Sequence, residues 1–195
     1  MPAEHKHMSH EEKRYKLLSL IDDVCTYLYS GTHWHQKAAQ CARKISIRGF
    51  GRLHEYMSKI DFADLQCIEK LSIDKLQHIP MVDMEKVTKA EAWEMHDISG
   101  FRGHFDDWIE RESSYIGCIN EAIHYSREID VQLYNELVCL ADRVQNEIFR
   151  VKLLGNRLAF GGWSPHDIAY VSQVIHEYYE HGEINLKDPM DYNLG

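Results

Sequence analysis

Three acidic residues stand where the apolar periodicity of the chain calls for core. In the stretch Phe50 to Gln77 the apolar positions Leu53, Met57, Ile60 and Leu71 run in steps of three and four, and the same steps land on Asp64 and Cys67. A second stripe, Phe105, Trp108, Tyr115, Ile119 and Ile123, is broken by Glu112. A third, from Leu133 through Val144 and Val151 to Leu158, is broken by Glu147. His35 breaks a fourth stripe that begins at Leu17. A buried carboxylate is costly when ionised, and neighbouring carboxylates raise one another's pKa. Such a cluster is relieved by a proton, by an arginine or lysine, or by a metal cation. No arginine or lysine occupies a stripe position near the three acids. Carboxylates joined by an imidazole or a thiolate suit iron, manganese or zinc. The competing reading puts these acids at the rim, with their head groups in water. It makes His35 a hydrogen-bonded core residue and Cys67 plain packing.

Helices must carry these side chains. Ser9 and Glu12 have the spacing of a capping box, and a first long helix is expected from about His10 to Lys44, with a bend near Gly31. The short run Ile45 to Gly49 turns the chain into a second helix ending near Gln77. Pro80 to about Gly100 is weakly periodic. It is expected to cross the length of the bundle, anchored by Met81, Val82, Met84 and Trp93, with a helical turn around Ala90 to Met95. A third helix is expected over Phe101 to Arg127 and a fourth over Val131 to Phe160, stopped by Gly161-Gly162. Ser164-Pro165 starts a shorter fifth. In an antiparallel bundle, mid-helix positions lie at one height, so Asp64, Glu112 and Glu147 are expected to converge.

Composition narrows the function classes. The chain has 195 residues, 44% of them hydrophobic, which is enough for one domain with a substantial core. The net charge of −9 argues against a nucleic-acid partner. No apolar run approaches the ~20 residues of a membrane span. Five cysteines, an odd number without CxxC spacing, read as reduced thiols. The polar, histidine-bearing start lacks the apolar core of a signal peptide, so a cytoplasmic location is expected. The domain division is a flexible arm over 1–9, a helical bundle over 10–181 and a tail over 182–195. His5, His7 and His10 are expected to be a solvated end.

The arrangement resembles the ferritin-like superfamily over about His10 to Glu180: an all-α, antiparallel four-helix bundle with a long crossover between its second and third helices and a short fifth helix. Arg48-Gly49-Phe50, Ile68-Glu69-Lys70-Leu71 and Ile119-Asn120 carry the local likeness. Asp64-Leu65-Gln66-Cys67 takes the place of the family's Glu-x-x-His, Glu112 that of the third-helix glutamate, and Glu147 that of the fourth-helix carboxylate. The first-helix glutamate falls near Gly31 or Thr32, where His33 or His35 is the nearest substitute. The resemblance implies iron, as a pair or a single ion, with manganese or zinc as other occupants. It also implies Fe(II) oxidation and storage in a shell of like or related subunits. The altered first- and second-helix positions favour the alternative, an inactive structural or interaction subunit.

Overall fold

In the computed structural model, residues 8–92 and 94–181 are described. They form six α-helices: α1 His10–Lys44, α2 Arg48–Leu71, α3 Met84–Ala92, α4 Phe101–Ser126, α5 Val131–Phe160 and α6 Pro165–His181. The architecture is all-helical, with no strand among the described residues. The arm up to residue 7, including His5 and His7, the tail from residue 182, and Trp93 lie outside the described residues.

Local chemistry sets the helix ends. The Ser9 hydroxyl accepts from the Glu12 amide while the Glu12 carboxylate accepts from the Ser9 amide, at 3.2 and 2.7 Å, so the expected capping box forms. The Asp130 carboxylate caps α5 by accepting from the Gln132 and Leu133 amides. α2 does not stop cleanly at Leu71. It runs on through a π-helical turn, Ser72–Leu76, and ends at Gln77 in the left-handed conformation, φ 52°.

Cross-helix contacts give the directions. Arg43 at the end of α1 pairs with Glu55 near the start of α2. Arg14 at the start of α1 donates to the Leu76 carbonyl beyond α2, at 2.7 Å. Lys13 reaches Glu128, just past α4, at 2.6 Å. α1 and α5 therefore run one way, α2 and α4 the other. The segment between α2 and α4 climbs back along α1: the Asp83 amide donates to the Thr26 hydroxyl, 3.0 Å, and Lys44 pairs with Glu94, 3.6 Å. Its anchors differ from the expected ones. Met81 and Met84 are exposed, and Val87 and Met95 are buried instead. The segment folds into the amphipathic helix α3, capped by Asp83, whose carboxylate accepts from the Glu85 amide, and that turns Val87 inward.

α6 lies across α2 at close range. The Gly49 amide donates to the Ser172 hydroxyl at 3.0 Å, and a Cβ on Gly49 would strike the Ser172 carbonyl. Only glycine permits that approach.

The interior divides into two apolar bodies. The lower one joins Leu17 to Leu28 of α1 with Leu65, Ile68, Tyr115, Ile119 and Leu133 to Val144. The upper one joins Trp34, Phe50, Leu53, Met57, Phe101, Phe105 and Trp108 with Val151 to Leu158 and α6. Burying each such large side chain contributes roughly 1.5–3 kcal/mol. Every long helix has a gap between the two bodies: Leu28 to Trp34, Met57 to Leu65, Trp108 to Tyr115 and Val144 to Val151. The four gaps lie level; Asp61, Arg111, Glu112 and Glu147 fall within them, and His35 lies at the edge of the first.

Candidate metal centre

Each of the four long helices places a polar side chain in this layer. α1 supplies His35, fully buried; α2 supplies Asp61; α4 supplies Arg111 and Glu112; α5 supplies Glu147. One ligand atom each from His35, Glu112 and Glu147 lies within 4.8 Å of the others. His35 Nε2 stands 3.8 Å from Glu147 Oε1 and 3.9 Å from Asp61 Oδ2. Those separations are too long for hydrogen bonds. They match the spacing of atoms sharing one first-row metal, about 3–4 Å when metal–ligand bonds are about 2.0–2.2 Å. His35 Nε2 and Asp61 Oδ2 are both buried and have no hydrogen-bond partner within the protein. Buried polar atoms are nearly always satisfied, so two such atoms 3.9 Å apart mark a place for a water or an ion.

The surroundings hold these groups in place. The Trp108 indole N–H donates to Glu147 Oε1 at 2.7 Å. Glu112 accepts from the guanidinium of its neighbour Arg111, whose Nη2 also donates to the Tyr27 carbonyl at 3.0 Å. The Arg111 guanidinium sits 5.8 Å from the Trp34 ring centroid, a cation–π distance. Behind His35 lies a chain of buried imidazoles. His35 Nδ1 meets His54 Nδ1 at 2.9 Å, and His54 Nε2 meets His104 Nε2 at 2.8 Å. Trp34 stacks on His104, ring centroids 5.1 Å apart, and Trp108 packs on His54 at 4.5 Å.

Burial dominates the electrostatics. It pushes the Glu147 carboxyl well above the usual range, and the Glu112 and Asp61 carboxylates push it further. Asp61 is raised in the same way, with Arg111 opposing. Glu112 is also raised by burial, against the pull of Arg111. Burial drives His35 and His54 well below the ordinary imidazole value and His104 down to about 3. The imidazoles are therefore neutral, the form in which they bind metals.

The five residues singled out from sequence divide. Glu112, Glu147 and His35 come together. Asp64 does not join them: its carboxylate forms a two-pronged pair with Arg143 of α5, at 2.6 and 3.1 Å, on the side of α2 that faces α5. Cys67, half-buried, lies on that side too, with Glu136 and Asp64 as its electrostatic neighbours. The inward stripe of α2 runs Phe50, His54, Met57, then Asp61 with its buried Oδ2, Leu65 and Ile68, a step of four from Met57 where a step of three to Ile60 was expected. One residue turns a helix by about 100°, so that slip exchanges Asp64 for Asp61. Arg111 was missed because it lies beside the stripe, yet its long stem carries the guanidinium inward. His54 and His104 were missed as well, although the spacings Phe50-His54-Met57 and Phe101-His104-Trp108 put both on apolar stripes.

No family model matches the chain, and no curated protein matches it in sequence.

Proposed function

We propose that this protein is a ferritin-like metal-binding bundle that holds a first-row transition metal, iron in the reading the resemblance favours, at His35, Glu112 and Glu147, with Asp61 at the same centre. The observation that carries this is the convergence of His35, Glu112 and Glu147 from three helices, with His35 Nε2 left orphaned and buried at their meeting point. Antiparallel helix directions, with a long segment returning along α1 between α2 and α4, support the family reading of the fold. The imidazole and carboxylate set suits Fe(II), Mn(II) or Zn(II). An iron bound there would supply one-electron exchange with dioxygen. Within the chain, Trp108 holds the Glu147 carboxylate, Arg111 offsets part of the negative charge, and the two apolar bodies keep bulk water out. Storage would further require a cavity enclosed by many copies.

Titration of metal-free protein with Fe(II) under anaerobic conditions, followed by metal analysis, tests the site. Stoichiometric metal in the wild type and its loss in a folded Glu112→Ala, Glu147→Ala double variant support it. A folded wild type that takes up no Fe(II), Mn(II) or Zn(II) overturns it. Sedimentation of the full chain tests the shell, which a monomer or dimer rules out.

Arg111 favours a second reading. Its guanidinium already lies where a cation is wanted, so the chain can serve as an inactive structural subunit with the arginine as its permanent counter-ion. Wild type that binds no metal yet depends on Arg111 for folding would favour it.

A further inference from the structure

Three imidazoles in line are not required to pack a bundle. Leucine or phenylalanine would fill the same volume without burying six ring nitrogens. His35, His54 and His104 come from α1, α2 and α4 and are all 2% exposed or less. Their contacts use Nδ1 with Nδ1 and then Nε2 with Nε2, at 2.9 and 2.8 Å. Each contact holds a single proton, because a nitrogen–nitrogen hydrogen bond needs one donor and one lone pair. A neutral imidazole carries one N–H. The state of one ring therefore dictates the next, and the chain has only two directions.

The centre selects between them. A metal at His35 needs the Nε2 lone pair, so the His35 proton must sit on Nδ1. His54 Nδ1 must then accept it, His54 must carry its own proton on Nε2, and His104 Nε2 must accept that one. We infer that His54 and His104 are positioning residues of the metal centre: through this relay they hold His35 as its Nδ1–H tautomer and aim the Nε2 lone pair at Glu147 and Asp61. This rests on the metal-binding reading above. It adds two residues beyond those that would hold the metal. Outer partners that fix a ligand's tautomer are commonly worth about 10–100-fold in affinity.

The experiment pairs nitrogen NMR with metal titration. In the Zn(II)-loaded wild type, long-range nitrogen–proton correlation should show His54 protonated at Nε2 and His35 at Nδ1. His54→Phe should bind Zn(II) about 10–100-fold more weakly, and His54→Gln, whose amide oxygen can accept from His35 Nδ1, should recover part of that loss. A merely structural His54 would change melting temperature in these variants and leave affinity alone. The relay is overturned if Zn(II)-loaded wild type carries the His54 proton on Nδ1, or if folded His54→Phe binds as tightly as wild type. The first readout needs no variant, so poor folding of His54→Phe leaves it decisive. Wild type that binds no Zn(II) fails the site itself, an outcome distinct from a bound metal with the wrong tautomer.

Discussion

Arg111 and Gly31 share one space. A Cβ at Gly31 would overlap the Arg111 guanidinium and the Asp61 carboxylate, so the missing side chain of α1 is what lets an arginine from α4 enter the polar layer. α1 carries no acid near Gly31, and a cation from α4 takes up the room there.

Gly31→Ala should therefore destabilise the protein by about 1–3 kcal/mol, the usual cost of overfilling a packed interior. The same change at Gly103 or Gly117, where a Cβ meets nothing within 4 Å, should be neutral or stabilising by up to about 1 kcal/mol, since alanine is the better helix former. Urea denaturation of the three variants checks the contrast. Equal effects at all three positions would remove the packing argument.

Arg111→Met leaves Asp61, Glu112 and Glu147 without their buried cation. Removing one partner of a buried ionic cluster costs about 3–5 kcal/mol, so the metal-free variant should melt well below wild type. A divalent metal at the centre should restore much of that loss by mass action. Melting scans with and without Zn(II) measure it, and a variant that Zn(II) fails to rescue would point to the arginine as the permanent counter-ion.

Glu147→Gln keeps an oxygen for the Trp108 indole N–H and removes one negative charge from the crowded layer. The metal-free variant should be as stable as wild type or more so at neutral pH. Its metal affinity should fall at least about tenfold, or roughly 1.4 kcal/mol. Calorimetric titration and thermal melting, read together, separate the two effects.

The buried imidazoles and the buried carboxyls should respond to pH in opposite senses in the metal-free protein. His104 is held down to about 3, and His35 and His54 shift the same way. The unfolded chain binds those protons first, so the stability they contribute is complete above about pH 6.5 and is lost as pH falls through that value toward the native pKa values. Asp61 and Glu147 shift upward. Their protons bind the native state more readily, so their contribution is present at low pH and is lost as pH rises through the raised values. Metal binding must displace those protons. The gain in melting temperature on adding Zn(II) should therefore widen from about pH 5 to about pH 8. A gain independent of pH would mean the metal binds elsewhere.

Helix positions were legible along the chain because their signals are local. Ser9 with Glu12, Gly161-Gly162 and Ser164-Pro165 mark ends within a turn of themselves, and the start of α1, the end of α5 and the start of α6 lie where these signals lie. Glu112 and Glu147 were legible for a related reason: each interrupts a stripe that is apolar on both sides, which fixes its phase from two directions. α2 lacked that support. Between Met57 and Leu65 its residues allow a step of three or of four, and a choice that rotates the helix by about 100° is settled only by what packs against it. His35 next to Asp61, Arg111 filling the room over Gly31, and three histidines joined end to end all involve residues far apart in the chain. Periodicity tells which way a helix faces only where its stripe is unbroken on both sides. Which side chains meet depends on the rotation and height of every helix against its neighbours, and packing of the whole bundle alone decides that.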